Sequence, residues 1–410
     1  MPTESQIQLY YVEKFRCVGS ECTDSCCFGW QVQIDRATYE KYQTLPDLLP
    51  VMNARFTLTP DGVDANFARI NLLASSGCPF FSADRLCEIQ KAHGAEYLSH
   101  TCTIFPRSVR LDGTVEKTTL FLSCPEAARL VLLDPELLPA EEVEGGTHAR
   151  YGRFLLRKSS RNKTAPLDVL SILQRFSLVV VKDRRYALWQ RLFILGMFCG
   201  RLRELALAHQ MARLPALVSD YAEMIMDKSL KRPMEPIQGQ PAAQLDLTRK
   251  FIERAVKLSV AASFRESSAD FQVGIPSSGD TVTDREIAAY NAAHDSNYEP
   301  LMQAHPFLLE NFFTNYILQD GFPFNIKNSK PVDVRSSFFL MCTHYMVIRT
   351  MLIGISRRYR EQFGTQHVIK LVQGFCKAVQ HNATFINETL DFIGGCNLNH
   401  PGEIATLIKN

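Results

Sequence analysis

Eight of the chain's twelve cysteines fall between Cys17 and Cys124. Four of them crowd into one stretch, Cys17-Val-Gly-Ser-Glu-Cys22-Thr-Asp-Ser-Cys26-Cys27. Thiolates are soft ligands, and at short spacing they select zinc, copper(I) or an iron–sulfur cluster. A tetrahedral site needs four of them to converge. Cys17, Cys22, Cys26 and Cys27 offer donors from one loop, and Cys78, Cys87, Cys102 and Cys124 can complete a shell from afar. All eight are candidate metal ligands. Neighbouring side chains tend to point apart, so Cys26 and Cys27 are not expected to serve one ion together. Cys78 and Cys124 each precede a proline, and a Cys-Pro step recurs in ferredoxin-type ligation. Cys124 also stands at a helix start, where unpaired N–H groups favour a thiolate. Spacing alone leaves zinc and iron–sulfur open. His100 is a minor further candidate, whereas Cys199, Cys342, Cys376 and Cys396 lie in apolar surroundings and read as buried thiols.

Those cysteines must be carried by a globular scaffold. The chain has 410 residues, 46% hydrophobic and 21% charged, with a net charge of +2. It is long enough for two or three cores. So balanced a charge argues against nucleic acid or an anionic membrane as partner. Met-Pro-Thr-Glu-Ser-Gln at the N-terminus has no secretory pattern, so the expected location is the cytoplasm, where clustered thiols bind metal more often than they pair. The most apolar run, Phe338 to Ile355, is interrupted by His344 and Arg349, which argues for a buried helix over a membrane span. Glycine-rich nucleotide loops, His-Glu-x-x-His and Gly-x-Ser-x-Gly are all missing.

Local pattern predicts a mainly α protein in three parts. Residues 1–134 form a cysteine-rich metal module with short strands, 135–166 a linker rich in Pro, Gly, Glu and basic residues, and 167–410 an α-helical body. Strand character is expected at 5–12 and 29–35, a capped helix from Asp35, and a knuckle between Cys78 and Cys87. Helical periodicity begins at Leu167 and recurs at Tyr186 and Phe338. Residues 231–241 and 276–285 read as exposed loops. Between His305 and Leu318, two rows at i, i+4, i+8 (Leu308, Phe312, Tyr316 and Leu309, Phe313, Ile317) make an apolar stripe, with Asn311 and Asn315 on its flank. Such a stripe is core more often than substrate surface.

Several segments together resemble the flagellin lysine N-methylase family: Cys17 to Trp30, Gly77-Cys78-Pro79-Phe80-Phe81 with Cys87, Leu98 to Arg107, Leu122 to Arg129, and a second block from Tyr298 to Phe324. The wider group of zinc- or iron-chelating domains carries a more compact Cys-x2-Cys-x2-Cys-Cys motif, and the gaps here are longer. The resemblance implies transfer of methyl groups from S-adenosylmethionine to lysine ε-amines of flagellin, with a cysteine-ligated [4Fe–4S] cluster involved. Such chemistry needs a neutral amine, held in line with the sulfonium methyl. On this reading Tyr298 and Glu310 are candidates for orienting the amine, and Arg107, Asn311 and Asn315 for binding the cofactor. Arg129 is a further carboxylate binder unless Glu126 pairs with it. The competing expectation is a zinc-stabilised adaptor that binds a partner without chemistry.

Overall fold

The computed structural model describes residues 5–60, 62–112, 115–137, 140–142, 150–152, 156–157, 169–259, 261–323, 326–327, 330–331, 333–380, 382–395 and 401–409. Most of the linker region and Cys396 lie outside them. Helices dominate from Val169 onward, and the strands are short and confined mainly to the first 160 residues, which bears out the mainly α expectation.

The centre of the body is the helix Val334–Tyr359. It has no polar face wide enough to meet water, so it is buried on all sides, as an all-round apolar helix must be. Helices Leu188–Leu207, Pro241–Leu258, Ala262–Gly274 and Thr365–Phe375 pack around it. Among the described residues, Val334–Gln362 is the one helix long and apolar enough to cross a membrane, and 94% of its apolar window is buried inside the fold. Gly274 and Gly354 let two helices approach closely. A Cβ on Gly274 would sit 1.8 Å from the Gly354 carbonyl oxygen.

The helix Phe307–Asp320 corrects the expectation of a one-sided stripe. Leu308 through Leu318 are all buried, the polar residues included. The segment 231–241 is not an open loop throughout, because Ser229–Met234 forms a 3-10 helix anchored by buried Leu230 and Met234. In the other expected loop, Thr283 already caps the helix Asp284–Ala293.

Two hydrophobic cores organise the chain. The smaller joins Val32, Ile34, Tyr42, Met52, Phe56, Phe80 and Ile89. It is built on the antiparallel sheet Gln33–Ile34, Ala68–Ile70, Phe56–Leu58 and on the helix Arg36–Gln43. Asp35 caps that helix as expected, accepting from the Thr38 N–H at 2.9 Å. The larger core contains the whole helical body, but also Leu9 to Phe15 and Leu120 to Leu137. Strand Ser5–Gln8 pairs in parallel with Val115–Leu120, which in turn forms a hairpin with Arg107–Asp112. Tyr11 Oη donates to Asn315 Oδ1 at 2.7 Å, pinning the N-terminal segment to the body. The division between the cores therefore does not follow chain order.

Candidate active site

A cavity of about 520 Å³ opens where the cysteine-rich segment meets the helical body. From the N-terminal side come Cys26, Gln31, Thr101, Arg107 and Ser123, with Trp30, Phe105 and Phe121 as an aromatic wall. From the body come Leu258, Ser259, Lys377, Ala378 and Asn382. Trp30 packs on Phe105 with ring centroids 5.5 Å apart, and its indole N–H donates to the Cys26 carbonyl at 2.6 Å. The aromatic wall is thereby tied to the cysteine loop. Arg107 also stands over the Phe15 ring at 5.4 Å, so its charge is positioned by a cation–π contact.

Asp24, between Cys22 and Cys26, fastens this loop to the body. Its carboxylate accepts from Lys377 Nζ, from Gln373 Nε2 at 2.9 Å and from Ser263 Oγ at 3.0 Å. Lys377 also donates to the Ser25 carbonyl, and Gln373 to the Ser123 carbonyl at 2.9 Å. Lys377 belongs to a π-helical turn, Cys376–Gln380, that follows the helix Thr365–Phe375. Neither Asp24 nor Lys377 stood out in the sequence. The available signal was a lone lysine inside the apolar run Phe375-Cys376-Lys377-Ala378-Val379, where an unpaired charge is rarely tolerated.

All eleven described cysteines are free thiols. Burial pushes Cys78 up to about 12 and Cys102 and Cys124 up to about 11, and raises Cys22 and Cys87 as well. The adjacent thiols of Cys26 and Cys27 act chiefly on each other, which raises Cys26 and lowers Cys27. Backbone N–H groups nevertheless aim at the sulfurs. Phe80 donates to Cys78, Asp24 to Cys22, and Glu126 with Ala127 to Cys124, where the expected helix begins at Pro125. Such donors stabilise a thiolate. Bound soft cations deprotonate thiols outright. By donor type the eight cysteines suit a thiophilic metal, and backbone N–H groups favour the thiolates of Cys22, Cys78 and Cys124. Among the described residues, no three His, Cys, Asp or Glu side chains are gathered as tightly as a single metal ion requires. His100 spends its backbone N–H on Asp35.

Of the other candidates, only Arg107 lines the cavity. Glu310 is fully buried and paired with Arg184, Arg191 and Lys182. Tyr298 is buried against the larger core. Asn311 donates to the Val131 and Asp134 carbonyls, and Asn315 to the Leu120 carbonyl. Glu310, Asn311 and Asn315 thus spend polar groups on tying their helix to neighbouring segments. Arg129 forms a two-pronged pair with Glu126.

Residues 174–407, more than half of the chain, match the FliB lysine N-methylase C-terminal domain. The flagellar biosynthetic protein FliU of Salmonella muenchen is 33% identical over 158 residues, covering 37% of this chain and 90% of that protein. A lysine-N-methylase of Salmonella choleraesuis is 35% identical over 139 residues, and one of Salmonella typhimurium 35% over 135. Each of these two matches covers 32% of this chain and 33% of the relative, so the match spans about a third of each lysine-N-methylase. No solved structure matches. The family match places this mainly helical body, joined to a cysteine-rich segment, in a protein-lysine N-methyltransferase class. The chain belongs to the FliB lysine N-methylase family.

Proposed function

We propose that this chain methylates lysine ε-amines of flagellin in the cytoplasm, with S-adenosylmethionine as methyl donor and a cysteine-held [4Fe–4S] cluster as a resident group. The observation that carries the reading is the position of the cavity. It brings residues of the family-matched body (Ser259, Lys377, Asn382) against the cysteine loop and an aromatic wall. The cysteines of the N-terminal segment would hold that cluster, which would supply a thiolate-ligated iron centre.

The chain's own residues meet the two demands of methyl transfer. Trp30, Phe105 and Phe121 shield one side of the cavity from water, and desolvation shifts a lysine toward its neutral, nucleophilic form. A sulfonium is a cation, so the faces of Trp30 and Phe105 attract it. Arg107 offers a guanidinium for the carboxylate of the methionine moiety. Holding the two reactants in line is then mostly a matter of position.

The test is direct. Purified flagellin incubated with the protein and methyl-labelled S-adenosylmethionine should gain label on lysine, located by mass spectrometry. Trp30→Ala and Arg107→Ala should each reduce the rate by about ten-fold or more, the scale of one lost positioning contact. Unlabelled flagellin with an intact, metal-loaded protein would reject the reading.

A further inference from the structure

Strand Arg107–Asp112 stands at the outer edge of its sheet, with Val115–Leu120 between it and Ser5–Gln8. The register pairs Arg107 with Leu120 and Val109 with Thr118. Two hydrogen bonds fix which way the backbone groups point. The Phe121 N–H donates to the Pro106 carbonyl at 2.7 Å, so Pro106 and every second residue after it turn their backbone groups inward. From the opposite side the Leu9 N–H donates to the Thr118 carbonyl at 3.5 Å, so Thr118 faces away from Val109. The N–H and C=O groups of Arg107 and Val109 therefore point off the edge of the sheet, and among the described residues nothing meets them.

An open strand edge is commonly blunted by its own charged side chains. Here both arginines are turned aside. Arg107 is held over the Phe15 ring, and the Arg110 guanidinium lies where a side chain on Gly321 would sit. Val109, between them, is 46% exposed. The edge also leads somewhere, because Arg107, at its start, lines the cavity together with Phe105 and Phe121.

We propose that this edge docks the lysine-bearing segment of flagellin as an added β-strand and delivers its lysine to the cavity. The proposal deepens the methylase reading and rests on it for the identity of the substrate. An extended segment laid along the edge exchanges backbone hydrogen bonds with Arg107 and Val109. Residues directly opposite each other project on one face of a sheet, so the residue opposite Arg107 shares the face that Arg107 presents to the cavity. A lysine in that position meets a guanidinium that forms no ion pair among the described residues. Like charge favours its neutral, nucleophilic form. The residue two positions along the added strand lies opposite Val109, where an apolar side chain fits. The segment recognised is thus an extended one with a lysine two positions from an apolar residue.

Hydrogen exchange of the full chain at single-residue resolution, with and without purified flagellin, tests this. Flagellin should slow exchange at the Arg107 and Val109 amides by about ten-fold or more, whereas Ser108 and Arg110, already paired within the sheet, should change little. Val109→Pro removes one outward N–H, a change that an edge strand tolerates. With helical signal and thermal midpoint as in wild type, it should weaken flagellin binding by about ten-fold or more. Val109→Thr keeps that N–H and should stay within about two-fold of wild type. Protection that is absent, or spread evenly over residues 107–110, would overturn the docking edge, as would wild-type affinity in a folded Val109→Pro. Methyl label on flagellin without the alternating protection rejects the edge and leaves the methylase reading standing. Alternating protection without label keeps the edge and rejects that reading.

Discussion

Glu310 illustrates how a polar residue in an apolar helix is to be read. Its carboxylate, with no solvent exposure, meets Arg184 at 3.0 Å, Arg191 at 2.9 Å and Lys182 at 3.5 Å. Removing the carboxylate strands the buried guanidinium of Arg191, so Glu310→Ala should lower stability by about 3–5 kcal/mol. Urea denaturation checks this, and a loss below about 1 kcal/mol would mean that water reaches Arg191 once the carboxylate is gone. Tyr11→Phe removes a single buried donor from Asn315 and should lose about 1–2 kcal/mol by the same measurement. The sequence marked Glu310, Asn311 and Asn315 as out of place among Leu and Phe. The partners that tie them to other segments lie between 119 and 304 positions away. A local pattern flags such a residue but carries no information on what meets it, so the pairing of these side chains was not legible along the chain.

Among the secondary-structure elements, two contacts decide how the body is assembled. The helices Ala262–Gly274 and Val334–Tyr359 meet at Gly274 and Gly354. The obstacle to a methyl group on Gly274 is backbone, which cannot rotate away. Gly274→Ala should therefore force the helices apart and lower stability by about 1–3 kcal/mol, read from the thermal midpoint. Gly200→Ala, with nothing within 4 Å of the added carbon, is the control and should be neutral or stabilising. The second contact is the capping box at Thr283. Glu286 accepts from the Thr283 N–H at 2.7 Å and pairs with Arg249 at 2.8 Å. Burial opposes its ionisation, but Thr283 and Arg249 outweigh that and hold its carboxyl at about 2. A carboxyl depressed on folding contributes stability above its unfolded value, near 4.3, and loses it as pH falls toward 2. Wild type should thus be more stable than Glu286→Gln at pH 7, with the gap closing between about pH 5 and pH 2. A gap that stays constant across that range would remove the carboxylate from the account. Thr-x-x-Glu was visible in the sequence as Thr283 to Glu286, since a capping box is entirely local.

For the molecule as a whole, the helical body and the small module depend on different forces. The body buries its helices around Val334–Tyr359. The small core has far fewer large side chains and is surrounded by cysteines. On the proposed metal-holding reading, chelation should leave most of the far-ultraviolet helical signal in place while changing the fluorescence of Trp30, which is bonded to the Cys26 carbonyl. Trp189, packed against the body core, supplies the unchanged reference. A complete loss of helical signal on chelation would show that the body needs the metal to fold.

Thiol donors, the order of strands before helices, the buried apolar run around Phe338–Ile355 and the Asp35 cap were all legible along the chain. Each depends on residue type or on neighbours within a few positions. The cavity was not legible. Its walls join residues 26–31, 101–123, 258–259 and 377–382, and the Asp24–Lys377 pair spans 353 positions. Local chemistry selects the donors and the helices; long-range packing decides which of them face each other, and so where a site exists.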